Sequence, residues 1–160
     1  MTSLTILAPA YNEEAVIGRF VETVLAGVPS GTQLLIVDDG STDRTAELLG
    51  HLQTRHPALH VITHPRNQGL GAALSRGFGA ATGDVVVTMD ADLSHPLALI
   101  PGMVAACADA DAVFASRFVR GGGMPGVPKT RAIVSAFGNA VIRRLLRVPV
   151  RDMTTGFRAY

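Results

Sequence analysis

Short apolar runs alternate with helical patterns along most of the chain. The runs have the length of buried strands, and the first four are rich in leucine or β-branched residues. The five predicted strands are residues 4–9, 34–37, 59–63, 85–89 and 111–116. The predicted helices are residues 14–26, a segment capped by Ser41 or Thr42 and running to about 54, and an alanine-rich stretch ending near 81. Strands that alternate with helices predict an α/β fold with a mostly parallel sheet.

Three of the predicted strands end in polar residues that can do chemistry. These ends are residues 9–13 (Pro9, Ala10, Tyr11, Asn12 and Glu13), residues 38–41 (Asp38, Asp39, Gly40 and Ser41) and residues 90–92 (Asp90, Ala91 and Asp92). Parallel sheets bind ligands outside the carboxyl ends of their strands, so the three ends together predict one site. Taken singly, each could be a turn or a helix cap, which is the favoured interpretation of Ser41 and Asp43.

Asp90 and Asp92 place two like charges directly after a buried strand. Neighbouring carboxylates repel each other, and a hard divalent ion such as Mg²⁺ or Mn²⁺ removes that penalty. Mg²⁺ usually takes one or two protein carboxylates and completes its shell with water and substrate phosphates. The pattern therefore predicts a site for a nucleotide diphosphate rather than a closed structural metal centre.

Composition and charge narrow the classes of protein. The 160 residues suffice for one domain, and a hydrophobic content of 48% excludes a disordered chain. A single cysteine, Cys107, excludes a disulfide framework and a thiolate metal cluster. The sequence lacks a P-loop, and its Gly-rich stretch at 69–74 is misplaced for a dinucleotide fold. The start of the chain does not have the pattern of a signal peptide, and no apolar stretch is long enough to span a bilayer.

The net charge is +1, but acidic and basic residues are concentrated in different parts of the chain. Residues 1–116 hold 5 Arg or Lys and 12 Asp or Glu, whereas residues 117–160 hold 9 Arg or Lys and only Asp152. The two parts are therefore expected to meet different ligands. In the stretch 130–147, polar residues recur every four positions and predict one stripe of a helix: Arg131, Ser135, Asn139, Arg143 and Arg147. Such a stripe can bind a phosphate and anionic lipid head groups, and the alternative for its last two arginines is a solvated face.

The polar blocks resemble family-2 glycosyltransferases with the GT-A fold, a Rossmann-like, mostly parallel sheet flanked by helices. That resemblance lies in residues 8–13, 38–43, 67–71 and 89–96. Later blocks, at 116–118, at Arg131 with Ser135 and Asn139, and at 152–160, resemble the polyprenyl-phosphate (dolichyl-phosphate) mannose synthase branch. The match covers essentially the whole chain. We expect a single GT-A domain over 1–160 that lacks its C-terminal end, with a donor and metal part at 1–116 and an acceptor part at 117–160.

The resemblance implies a role for each matching residue. Asp90 and Asp92 would bind the metal and, with Arg117 and Arg131, act in catalysis. Arg117, Arg131 and Ser135 would receive the acceptor phosphate. The residues implied in donor binding are Pro9, Tyr11, Glu13, Val37, Asp39, Gly69 and Ala91. The acceptor oxygen of a lipid phosphate is already anionic, so a general base is not required, and Asp152 is the one carboxylate of the basic part that could serve as one.

The implied function is inverting transfer of a hexose, most simply mannose from GDP-mannose, to a polyprenyl (dolichyl) monophosphate. A family-2 transferase that uses UDP-glucose or another nucleotide sugar, with a lipid-phosphate or sugar-hydroxyl acceptor, is one alternative. An inactive truncated nucleotide-binding domain is the second. The expected partners are the nucleotide sugar, the polyprenyl phosphate and the cytoplasmic face of a membrane, with a separate membrane subunit left open. Nucleic acid is not expected, since the basic part offers few aromatic residues for stacking.

Overall fold

A computed structural model of the chain describes residues 2–116, 152 and 154–160. The strands are β1 (Leu4–Ala10), β2 (Gln33–Asp38), β3 (Leu59–Thr63), β4 (Val85–Thr88), β5 (Val113–Phe114) and β6 (Arg158–Ala159). The helices are α1 (Ile17–Gly27), α2 (Thr45–Arg55), α3 (Leu70–Phe78) and α4 (Ile100–Ala106), with a short 3₁₀ helix at Leu97–Leu99. These elements form one sheet in the order β3-β2-β1-β4-β6-β5.

The sheet is covered by helices on both faces. On one face, alternate residues of β1 and β2 pack against apolar side chains of α1, α2 and α4, among them Phe20, Leu49 and Ile100. On the other face, Leu7, Leu35 and Val37 pack against α3. Burial on both faces explains why these strands are continuous apolar runs rather than alternating ones.

The register of the parallel strands sets the position of their ends. Pro9 pairs with Val37 and Ala10 with Asp38, so β1 and β2 end level with each other. The other neighbour of β1 is β4, and Leu7 pairs there with Thr88. The residues that follow β1, β2 and β4 therefore emerge at one edge of the sheet. The remaining strand, β6, runs antiparallel to both β4 and β5.

The predicted mostly parallel α/β sheet is confirmed, and the first four strands lie within one residue of their predicted ends. The predicted cap of α2 by Ser41 or Thr42 is wrong, because α2 begins at Thr45. The Ser41 hydroxyl instead donates to Asp38, and the Thr42 N–H donates to Asn12. The Ser41 hydroxyl oxygen, which would be the acceptor in a local cap, accepts the N–H of Asn12 from the loop after β1. The predicted loop at 121–128 and helix at 130–147 lie outside the described residues.

Two further elements differ from the predictions. The first helix begins at Ile17 and not near 14, because a turn at 13–16 precedes it, in which the N–H of Val16 donates to the carbonyl of Glu13. The fifth strand has only two residues and was predicted with six. In the described part of the chain, no helix combines the length and the apolar composition needed to cross a bilayer.

The contact between α3 and the sheet generates a prediction about stability. Gly77 is buried in α3, and a Cβ there would collide with the side chain of Leu7, which is fully buried. Gly77→Ala should therefore lower the free energy of unfolding by about 1–3 kcal/mol in urea unfolding, despite the better helix propensity of alanine. Gly71→Ala, in the same helix but with open space around its Cβ, should be neutral or slightly stabilising. Equal effects of the two substitutions would contradict this packing.

Candidate functional site

Three acidic residues follow strands that end at the carboxyl edge of the sheet. Glu13 follows β1, while Asp90 and Asp92 follow β4. Burial raises the pKa of Glu13 above its ordinary value, and the negative charges of Asp92, Asp43 and Asp90 raise it further. The structure thus brings together carboxylates from two separate strand ends, at the edge where the sequence predicted a site.

The loops after β1 and β2 are joined by hydrogen bonds. The N–H of Asn12 donates to the hydroxyl of Ser41 (2.9 Å), and the side-chain oxygen of Asn12 accepts the N–H of Thr42 (2.8 Å). The next residue, Glu13, donates its N–H to the hydroxyl of Thr45 (2.8 Å), the first residue of α2. Asn12 has a left-handed φ of 57°, a conformation that asparagine tolerates better than most residues. This network fixes the backbone from which the Glu13 carboxylate extends.

Asp39 ties the end of β2 to the loop before α3. Its side chain is almost fully buried, and Oδ1 accepts from Nδ1 of His64 (2.7 Å) and from the N–H of Gln68 (3.0 Å). The second oxygen accepts from the N–H of Gly69 (2.7 Å). Burial would raise the pKa of Asp39, but the hydrogen bonds from Gln68, His64 and Gly69 outweigh it and hold the pKa below its ordinary value. Both oxygens of this predicted donor residue are thus bound to the protein itself.

Gly40 shows how closely the same two loops pack. It has a φ of +70°, and a Cβ at this position would overlap the backbone of Arg66 and Asn67. Backbone atoms cannot move aside as the end of a side chain can, so the glycine of this sequence block is needed for both its conformation and its size.

Asp90 and Asp92 point outward on either side of a buried residue. Ala91 packs into the core, whereas the side chain of Asp90 is 51% exposed and Asp92 is also exposed. Asp92 accepts the N–H of Ser94 (2.8 Å) across Leu93, whose φ is 63°. Burial raises the pKa of Asp92, but the hydrogen bonds of Ser94 and the nearby His95 outweigh it, and the pKa is lowered. The Asp92 carboxylate is therefore favoured in its charged form.

The segment before β6 packs against Asp90. This contact was not predicted from the sequence. A Cβ on Gly156 would lie 2.7 Å from Oδ1 of Asp90, and the Thr88 hydroxyl donates to the Gly156 carbonyl (2.8 Å). Phe157 is fully buried and stacks on His95, with ring centroids 4.9 Å apart and an interplanar angle of 20°. The two-residue pairing of β6 with β4 places these groups. A pairing so short leaves no periodic signal in the sequence.

Four of the remaining predicted residues lie around this edge. Pro9 and Val37 are register partners at the ends of their strands, and Tyr11 is 44% exposed just beyond β1. Gly69 directly precedes α3. Asp152 is fully buried, and its Oδ1 accepts from the N–H and the hydroxyl of Thr154 (3.2 and 3.0 Å). The predicted acceptor residues Arg117, Arg131 and Ser135 lie outside the described residues.

The carboxylates at this edge fit a hard divalent cation. Among the described residues, no arginine or lysine forms an ion pair with Glu13, Asp90 or Asp92. The same residues contain no cluster of three or more His, Cys, Asp or Glu side chains arranged to enclose a metal ion. The arrangement therefore offers exposed carboxylate oxygens but not a closed shell, which suits an ion that also binds water and phosphates.

A cavity of about 440 Å³ opens elsewhere, at the amino end of β4. Asp84, Val85 and Tyr160 line it together with residues 107–111. Because it lies at the opposite end of β4 from Asp90 and Asp92, it is not part of the site.

The fold and the position of this site define a class, the GT-A glycosyltransferases. A structure of glucosyl-3-phosphoglycerate synthase from Mycobacterium tuberculosis, in complex with Mn²⁺, UDP and glucosyl-3-phosphoglycerate, is similar with a TM-score of 0.70 and 26% identity, covering 99% of this chain and 56% of that chain. The mannosyltransferase PcManGT from Pyrobaculum calidifontis, in complex with GDP-Man and Mn²⁺, is similar with a TM-score of 0.63 and 26% identity, covering 72% and 35%.

The chain belongs to glycosyl transferase family 2, whose family model matches residues 5–160. This confirms the resemblance drawn from the sequence blocks. An undecaprenyl-phosphate mannosyltransferase from Micrococcus luteus is 37% identical, over 100% of this chain and 66% of that protein. The chain spans between 43% and 66% of the length of three curated relatives that it matches.

The hydrogen bonds of Asp39 generate a prediction about pH. Because its pKa is lowered in the folded state, its contribution to stability is complete above the unfolded-state pKa of about 4 and is lost as the pH falls through the lower folded-state value. Asp39→Asn should lower the free energy of unfolding by about 2 kcal/mol at pH 7, since an amide nitrogen must face at least one N–H donor. Urea unfolding at pH 7 and pH 3 should show a smaller difference between wild type and variant at pH 3. A difference independent of pH would contradict the assigned contacts.

Proposed function

We propose that the chain transfers mannose from GDP-mannose to a polyprenyl monophosphate, as a metal-dependent, inverting hexosyltransferase. The observation that carries the proposal is the convergence of Glu13, Asp90 and Asp92 at the carboxyl edge of a family-2 sheet. The similar mannosyltransferase PcManGT holds GDP-Man and Mn²⁺, and the relative from Micrococcus luteus is an undecaprenyl-phosphate mannosyltransferase. Donor, acceptor and metal in this proposal follow from these two similarities.

Asp90 and Asp92 are the residues that would hold the divalent ion. Both are exposed, and neither has a lysine or arginine partner among the described residues. When bound, the ion supplies positive charge that offsets the diphosphate of the donor and of the leaving group. We propose Mn²⁺ or Mg²⁺, with Mn²⁺ favoured because it is the ion in both similar structures.

The nucleoside of the donor is proposed to lie over the ends of β1 and β2. Tyr11 offers an exposed ring beside that position. Pro9 and Val37 are register partners near the ends of the two strands, and Val37 is fully buried there. Asp39 contributes by holding the N–H of Gly69, which fixes the start of α3. Glu13 and Ala91 flank the same edge from the loops after β1 and β4.

The proposed reaction is one displacement at the anomeric carbon. An oxygen of the acceptor phosphate forms the new bond to this carbon as the bond to the donor diphosphate breaks, so GDP leaves and the configuration inverts. The attacking oxygen carries negative charge near neutral pH and has no proton to lose, so no side chain need act as a base. Arg117, Arg131 and Ser135 are proposed to bind the acceptor phosphate on the strength of the sequence alone.

The division of the chain into a donor part at 1–116 and an acceptor part at 117–160 remains part of the proposal. A lipid acceptor requires the basic part to meet a membrane surface, and we propose a peripheral position on the cytoplasmic face. Arginines such as Arg143 and Arg147 would attract anionic head groups there. A separate membrane subunit would be an additional partner at that surface.

Transfer of glucose from UDP-glucose is the second candidate. The observation that favours it is the synthase from Mycobacterium tuberculosis, which holds UDP and aligns with 99% of this chain. Its fold similarity covers more of the chain than that of the mannosyltransferase.

A donor-by-acceptor panel separates the candidates. GDP-mannose and UDP-glucose would each be offered with undecaprenyl phosphate, dolichyl phosphate or soluble sugars, with Mn²⁺ or a chelator. We expect mannosyl-phosphoryl-polyprenol from GDP-mannose with Mn²⁺, and no product with the chelator. Glucose transfer from UDP-glucose with no mannose transfer would support the second candidate instead. Absence of transfer in every combination, with GDP still bound, would favour the inactive nucleotide-binding domain.

Neutral replacements of the two aspartates test the metal assignment. Asp90→Asn and Asp92→Asn should each lower kcat/KM by about 100-fold or more, because the charge that offsets the leaving diphosphate is no longer held in place. Asp109→Asn, an exposed replacement away from this edge, is the matched control and should retain wild-type kcat/KM. Full metal-dependent transfer by Asp90→Asn and Asp92→Asn would overturn the assignment.

A further inference from the structure

We infer that His95 is a positioning residue that holds the Asp90 carboxylate in the orientation in which it binds a divalent ion, and that Phe157 holds His95 in turn. The inference rests on the proposed metal role of Asp90 and deepens it. It gives a specific task to residues near the end of the described chain, which the sequence analysis had linked only to the acceptor.

The first observation is the contact between His95 and Asp90. Nε2 of His95 lies 3.0 Å from Oδ2 of Asp90. A carboxylate can only accept hydrogen bonds, so Nε2 carries the proton and donates it. The Asp90 side chain is half exposed, so this bond restrains side-chain torsions on the solvent side of the residue.

The second observation is that the imidazole itself is held. Its side chain is 16% exposed and stacks on the buried ring of Phe157, with nearly parallel planes. Phe157 directly precedes β6, which pairs with both β4 and β5. The imidazole of His95 is therefore held by a residue next to a strand of the sheet as well as by its own loop.

The third observation is the close approach of Gly156 to the same carboxylate. A Cβ there would lie 2.7 Å from Oδ1 and 3.0 Å from Oδ2 of Asp90. Thr88, the last residue of β4, holds the Gly156 carbonyl with its hydroxyl. The Asp90 carboxylate thus lies between the Nε2–H of His95, in its own loop, and the backbone of Gly156, in the segment before β6. These two neighbours restrict the orientation of the carboxylate.

The consequence follows from the way metal ligands are supported. Groups that orient a ligating side chain through hydrogen bonds typically change metal affinity by about 10–100-fold when they are removed. Losing the donor of His95 should therefore weaken metal binding without removing any ligand. Losing the stacking partner should weaken it less, because the donor remains available.

The test measures Mn²⁺ binding to the purified 160-residue chain, by the electron paramagnetic resonance signal of free Mn²⁺. His95→Phe keeps an aromatic ring against Phe157 and removes the donor, so we expect at least about a 10-fold loss of Mn²⁺ affinity. His95→Gln retains a nitrogen donor near the same reach and should recover affinity to within about 3-fold of wild type. His51→Phe, an exposed histidine of α2, is the matched control and should bind Mn²⁺ as wild type does.

A second measurement uses the metal-free wild-type chain and needs no variant to fold. Nitrogen-15 correlation spectra of the histidine rings should show the proton of neutral His95 on Nε2, as the contact with Asp90 requires. A ring protonated only on Nδ1 would overturn the inference. So would wild-type Mn²⁺ affinity in a folded His95→Phe chain.

Asp90→Asn distinguishes failure of this inference from failure of the proposed function. If Asp90→Asn loses Mn²⁺ binding and His95→Phe does not, only the role of His95 is overturned. If Asp90→Asn binds Mn²⁺ as wild type does, the metal role of Asp90 fails and the inference fails with it.

Discussion

Crowded negative charge at the carboxyl edge of the sheet is the constraint on which the site depends. Glu13 follows β1, whereas Asp90 and Asp92 follow β4. Burial, together with the nearby carboxylates, raises the pKa of Glu13. Like charges held together in this way weaken the folded state unless a ligand compensates for them. In the proposed function, a divalent ion with a diphosphate would provide that compensation, and the described residues supply no arginine or lysine partner that would do so instead.

The scaffold keeps these groups in place through hydrogen bonds between loops. Asn12 joins the loop after β1 to the loop after β2, and Asp39 joins β2 to the loop before α3. His95 and Gly156 hold Asp90 from two sides. A segment of the predicted acceptor part thus also packs against Asp90, the carboxylate proposed to bind the metal.

Local patterns in the sequence predicted most of the fold and the place of the site. The buried strands are continuous apolar runs, and a polar block follows each of β1, β2 and β4. Parallel topology carries these three strand ends to one edge, where the candidate site lies. The support of Asp90 could not be predicted, since it depends on a two-residue strand that returns antiparallel about 70 positions later in the chain. The start of α2 was misplaced for a related reason, because the Ser41 hydroxyl accepts a hydrogen bond from Asn12 in the loop after β1. The roles of Arg117, Arg131 and Ser135 stay predictions, as those residues lie outside the described part of the chain.

We expect the acidic edge to bind a nucleoside diphosphate only together with a divalent ion. Isothermal titration of the chain with GDP, in Mn²⁺ and again in a chelator, tests this most directly. The affinity for GDP should fall by at least about 10-fold in the chelator, because the diphosphate then meets uncompensated carboxylates. Equal affinity for GDP with and without Mn²⁺ would contradict it.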